Sequence, residues 1–188
     1  ALAGIGLLIV LASLASLTLL QRAEPGSQAA NDLHPVFIYF DVGREYNVAA
    51  WYNAGLWLLV AAVAAAIALA RPRRRWSWWL LAAVAAVASI DETLELHERL
   101  DRPAQWLADL LPFDLWFTWV LVGLPLALVI GGLLLRTAWE LPRPSRAGIL
   151  IAGALFLLGA VGAETFNGTT LANADGVVTD AYLYGTMV

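Results

Sequence analysis

Residues 76–99 read WSWWLLAAVAAVASIDETLELHER. The apolar part, Trp76 to Ile90, has 15 residues between Arg75 and Asp91. A helix that crosses a bilayer needs roughly 20 apolar residues at about 1.5 Å each. The helix therefore either is short or carries Asp91 and Glu92 into the edge of the bilayer, where charge is costly and tends to be functional. The last 11 residues, Ser89 to Arg99, hold four carboxylates (Asp91, Glu92, Glu95, Glu98) and one of the chain's two histidines, His97.

The remaining sequence repeats this apolar character. Hydrophobic residues make up 61% of the 188 and charged residues 14%, against about 25% charged in an average soluble domain. The apolar runs are too long and alternate too poorly for a transmembrane barrel. The reading is all-α: one polytopic transmembrane bundle over 1–188, with five complete spans at about 1–20, 47–70, 76–95, 115–135 and 147–164, and the start of a sixth at 180–188. Ala1 is already apolar and Val188 stops in mid-pattern, so residues are expected to be missing at both ends. The first run lacks a basic leading region and is read as a retained helix, not a signal peptide. With no cysteine, disulfides, Fe–S clusters and thiol nucleophiles are excluded.

The connections carry the polar residues. Residues 23–46 are turn-rich and contain His34-Pro35, which reads as an extramembrane loop with an interfacial aromatic patch at Phe37–Phe40. Leu100–Asp114 opens with Asp101-Arg102-Pro103, a turn signal. Trp106, Leu107, Leu110 and Leu111 then follow at the spacing of a helix lying on the membrane surface. The Ala-rich halves of spans two and three, Val60–Ala70 and Leu81–Ala88, suit a tight helical hairpin, because small side chains let backbones approach.

Arginine sets the orientation. Arg71, Arg73, Arg74, Arg75, Arg136, Arg143 and Arg146 fall on one side; Arg22, Arg44, Arg99 and Arg102 fall on the other. The positive-inside rule makes loops 71–75 and 136–146 cytoplasmic, and loops 22–46, 99–114 and 165–179 periplasmic or extracellular. Of 15 carboxylates, only Glu140 is then inside. Arginine as the sole basic residue points to a GC-rich bacterium, so the expected location is the bacterial inner membrane. The partners are the lipid bilayer and, in one reading, other membrane subunits; no nucleic acid is expected.

Three predicted spans meet the outer side at carboxylates: Glu45 before span two, Asp91 and Glu92 after span three, Glu164 after span five. With His97 and Glu98 they form a candidate metal site. Carboxylates with one imidazole suit Zn, Fe or Mn, or Ca where only oxygens bind. The spacing is neither H-E-x-x-H nor the Glu-x-x-His of di-iron bundles. If residues 91–102 are helical, Asp91, Glu95, Glu98 and Arg102 share a face and His97 points elsewhere. The bland alternative is a helix emerging into water, with Arg99 and Arg102 as ion-pair partners. Haem or chlorophyll has no ligand at any helix centre, and His97 is the one candidate near the edge.

Arg44-Glu45-Tyr46-Asn47 with Trp51, then Ser89-Ile90-Asp91-Glu92 with His97-Glu98, then Gly159–Glu164 resemble a family of small polytopic bacterial membrane proteins of unassigned function. Its pattern is E-x-N before the second span, S-x-D-E-x-x-x-x-H-E at the third and G-x-x-x-E closing the fifth. The resemblance covers most of the chain. It implies that Glu45, Asp91, Glu92, His97, Glu98 and Glu164 act together, and implies no activity. A looser likeness is to the intramembrane hydrolases that include alkaline ceramidases, whose extra histidine pair this chain lacks. Three functions follow as expectations: an outward-facing carboxylate/His site that binds metal, a non-catalytic accessory subunit of a respiratory or photosynthetic complex, or an ion or small-solute transporter.

Overall fold

The computed structural model describes residues 1–70, 75–113, 115–174 and 176–186, apart from the side chains of 160, 161, 163, 164, 180 and 181. Every regular element among them is helical. Four helices are long and apolar enough to cross a membrane: α1 (Leu2–Arg22), α3 (Val48–Ala70), α4 (Arg75–Leu94) and α6 (Val120–Trp139). The shorter helices are α2 (Gln28–Phe40), α5 (Asp101–Ala108), α7 (Arg143–Leu157), α8 (Glu164–Asn173) and α9 (Asp180–Gly185).

The polarity of these helices is inverted relative to a water-soluble bundle. On α1 the buried positions are Ile9, Ser13, Ser16 and Leu17, while Leu7, Leu8, Leu11 and Leu14 are exposed. In a bilayer the leucines face hydrocarbon, and the small polar face packs on protein. Trp51, Trp76, Trp79, Trp106, Trp116 and Trp139 are also exposed, as suits amphipathic rings at the membrane–water boundary.

The α3–α4 hairpin is the main packing unit. Ala61, Ala64 and Ala68 of α3 and Ser77, Ala82 and Ala85 of α4 are buried, with Ala85 fully so. Their helical spacing puts a smooth face on each helix, which is what close backbone approach requires. Near the open end, Ser89 Oγ donates to Ala54 O at 2.8 Å and Asn53 Nδ2 to Glu92 Oε1 at 2.6 Å.

Four sequence expectations are corrected. The stretch 23–46 is not simply a loop: Ser27 caps α2 by accepting from Ala30 N at 3.2 Å, and α2 folds back along α1. Val42 N then meets Ser13 Oγ at 3.4 Å, halfway along α1. Tyr52 Oη donates to Leu2 O at 2.6 Å, so the first turns of α1 and α3 are neighbours. Strict up-and-down alternation would separate them; the return along α1 by α2 brings them together.

Span four begins at Val120 rather than at residue 115. Leu115 and Thr118 are buried and tied down, Trp116 N to Gly168 O at 3.4 Å and Thr118 Oγ1 to Asp101 O at 2.9 Å. The fifth span is not one α-helix: α7 has 15 residues and passes into a π-helical turn, Leu158–Ala163, before α8. Gly159 and Gly162 in that turn each weaken the α-helical alternative by about 1 kcal/mol. α9 begins at Asp180, where the start of a sixth span is expected, and covers six residues.

Candidate functional site

The site is at the open end of the α3–α4 hairpin, and two backbone reversals create it. α4 stops at Leu94, and Glu95 takes φ 50°. That left-handed conformation ends many helices but ordinarily falls to Gly or Asn. Before α3, Tyr46 takes φ 57°. Each costs of order 1 kcal/mol for a residue with a Cβ, and both flank the same cluster of ionisable groups.

The reversal at Glu95 overturns the expected helical face. Residues 91–102 are not one helix: after Leu94 come a turn and a short 3-10 segment, Glu98–Leu100. His97 is thereby folded back over Asp91. Its backbone N donates to Asp91 Oδ1 at 2.7 Å, and its Nδ1 lies 2.9 Å from Asp91 Oδ2. A carboxylate only accepts, so this contact calls for the tautomer with the proton on Nδ1. Nε2 then presents its lone pair to Glu45 Oε1, 3.7 Å away.

A second set of contacts fixes the ring. Trp119 meets His97 edge-on with centroids 4.9 Å apart. Asp101 Oδ1 accepts from Trp119 N at 2.6 Å and from Thr118 Oγ1 at 3.0 Å. It thus ties Trp119, the residue just before α6, to the start of α5 and holds its ring against the imidazole.

Glu45 is positioned from the other side. Asn47 Nδ2 donates to Asp41 O at 2.7 Å and Ile38 O at 3.1 Å, and its Oδ1 accepts from Ala50 N at 3.0 Å. This knot sets the entry of α3 and turns Glu45 inward while Tyr46 points out, 71% exposed. Glu45 Oε2 is buried without a hydrogen-bond partner. Burial pushes the Glu45 carboxyl up to about 7; His97 pulls it down, and the neighbouring Glu95 and Glu98 carboxylates push it up further. A carboxyl near neutrality can both give and take a proton.

The expected site residues separate as follows. Asp91, His97 and Glu45 form a chain of contacts, and Glu98 lies close enough to act on Glu45 electrostatically. Glu92 turns to Asn53 instead. The Glu164 side chain lies outside the described residues. Among the described residues, no three His, Cys, Asp or Glu side chains converge as a metal-binding group.

Arg99 and Arg102 make no ion pair with any described carboxylate, contrary to the water-facing alternative. They line a depression of about 500 Å³ with Tyr46, Leu94, Glu95 and Glu98. Sequence reasoning missed Asp101, Thr118, Trp119 and Asn53. An Asp ahead of a proline was readable as a local turn, but its partners are 17 and 18 residues away.

The expected spacing G-x-x-x-E is also not met, since Gly159 stands five residues before Glu164. No curated protein and no solved structure matches the chain. Over residues 2–188 the chain matches the family described as a domain of unknown function (DUF8692), and it belongs to that family.

Proposed function

We propose that this is a multi-pass protein of the bacterial inner membrane whose outward-facing end carries a proton-exchanging centre made of Asp91, His97 and Glu45. Loops 71–75 and 136–146 are cytoplasmic in this reading, which puts the open end of the α3–α4 hairpin at the periplasmic surface. The helical run through α7, the π turn and α8 serves as a fifth crossing. At 1.5 Å per residue its length of roughly 45 Å exceeds the hydrocarbon core.

One observation carries the chemistry. Asp91 holds His97 by both its backbone N and Nδ1, and the free Nε2 faces a carboxyl that titrates near neutrality. A proton on Glu45 passes to Nε2, and Asp91 balances the imidazolium charge that results. The 3.7 Å gap is longer than a hydrogen bond, so transfer needs a small rotation of Glu45 or one bridging water. Infrared titration of the protein in lipid nanodiscs tests this. A carboxyl band that titrates near pH 7 should vanish in Glu45→Gln. If Glu45 titrates in the ordinary carboxylate range, the reading fails.

A second reading has its own support. A metal-bound histidine donates its other ring N–H to a carboxylate, and Asp91 is placed to receive it. Nε2 and Glu45 Oε1 at 3.7 Å could both reach one divalent cation, of Zn, Fe, Mn or Ca. Elemental analysis of purified protein decides this: stoichiometric metal that is lost in His97→Ala supports it, and its absence rejects it.

A further inference from the structure

The depression beside the site is lined by charges of both signs that do not pair with each other. Glu95 and Glu98 interact with Glu45 and Tyr46, while Arg99 and Arg102 form no ion pair with any described carboxylate. Two guanidiniums and two carboxylates around one hollow of about 500 Å³ would ordinarily close on each other at a protein surface. Left apart, they are complementary to a ligand that itself carries one positive and one negative group.

The apolar surroundings narrow the ligand further. Leu94 lines the hollow. Below it on α4, Ile90 and Val87 are exposed at 49% and 58%. Positions 87, 90 and 94 share one helical face, so an apolar stripe runs from the depression down the last two turns of α4. Tyr46, 71% exposed at the rim, suits the headgroup level.

We infer that this depression binds the headgroup of a zwitterionic aminophospholipid, with the phosphate on Arg99 and Arg102, the ammonium on Glu95 and Glu98, and an acyl chain along Leu94, Ile90 and Val87. Guanidinium forks suit phosphate oxygens. A primary ammonium offers three N–H donors to the carboxylates, which a choline headgroup lacks. A phosphatidylglycerol headgroup brings no cation for the glutamates. The inference rests on the proposed placement of this end at the membrane surface and sets a lipid amine beside Glu45 and His97. It does not require that pair to exchange protons.

The test is lipid retention by the full chain. Protein is reconstituted with equal amounts of phosphatidylethanolamine, phosphatidylglycerol and phosphatidylcholine, stripped in mild detergent, and its bound lipid is counted by native mass spectrometry. Wild type should retain phosphatidylethanolamine over both others. The double variant Arg99→Gln/Arg102→Gln should lose about tenfold or more in that retention, since hydrogen bonds to charged groups contribute about 1.5–3 kcal/mol each. Glu98→Gln should narrow the preference for phosphatidylethanolamine over phosphatidylglycerol. Val87→Ser should weaken retention of lipid without changing the headgroup order.

Equal retention of all three lipids by wild type overturns the inference, as does a preference for phosphatidylglycerol. So does unchanged retention in the double variant. If soluble phosphoethanolamine displaces the lipid as effectively as a second lipid does, the acyl-chain part is wrong. Glu45→Gln should keep the lipid preference, because Glu45 does not line the depression; its infrared titration is a separate readout, so either proposal can fail while the other stands.

Discussion

Replacing Glu95 by Gly and, separately, by Ala tests the reversal on which the site depends. Glu95 has φ 50° directly after the last residue of α4. For a residue with a Cβ this conformation costs about 1–2 kcal/mol relative to glycine. Glycine gives part of that back, because its greater freedom in the unfolded chain costs about 0.4–1 kcal/mol. The Gly variant should therefore be the more stable of the two by about 0.5–1 kcal/mol. Both variants remove the same carboxylate, so the difference between them isolates the backbone. The assay is reversible unfolding in mixed micelles, read as the shift in midpoint between the paired variants. Glu95 also raises the Glu45 pKa, so both variants should lower the Glu45 titration below about 7 by the same amount. Equal stability of the two variants, or a more stable Ala variant, would refute the left-handed turn. The folding of His97 onto Asp91 would then lose its cause.

The pH dependence of stability follows from Glu45. Its folded pKa, about 7, lies above the 4.5 of the free side chain, so the folded state binds more protons between these values. Its contribution is complete below about pH 4.5 and is lost as pH rises through 7; Glu45→Gln should gain stability relative to wild type from pH 5 to pH 8, as thermal denaturation in detergent will measure. Asp101→Ala should cost about 1–3 kcal/mol by leaving the part-buried Trp119 N–H and Thr118 hydroxyl without their carboxylate acceptor. It should also loosen Trp119 from His97, which NMR chemical shifts of the His97 ring will report. Ala85→Leu should cost about 1–3 kcal/mol or more by forcing α3 and α4 apart, visible as earlier unfolding in a denaturing-detergent titration.

What the sequence carried, and what it withheld, divides along physical lines. Composition and the apolar runs of near-spanning length together point to the helical membrane class, and four helices are long and apolar enough to cross a membrane. Leu81–Ala88 and Val60–Ala70 announce the α3–α4 hairpin, because Ala has little else to offer than close approach. Glu45, Asp91 and His97 are visible as charges at the ends of apolar runs, where the cost of burial makes them conspicuous. Their mutual geometry was hidden by one backbone angle. A helical projection from Asp91 sends His97 away from the acidic face, and Glu95 is a residue type that seldom adopts φ 50°. A glycine at 95 would have marked the break. Because Glu stands there, the strain is accepted at a position whose side chain also acts on Glu45, Tyr46 and Glu98. Residue 95 thus does two things at once: its backbone brings His97 onto Asp91, and its carboxylate helps hold Glu45 near neutrality. Gly would serve only the first, and that difference is the physical argument for reading the strained turn as part of the site rather than as an accident of the helix end.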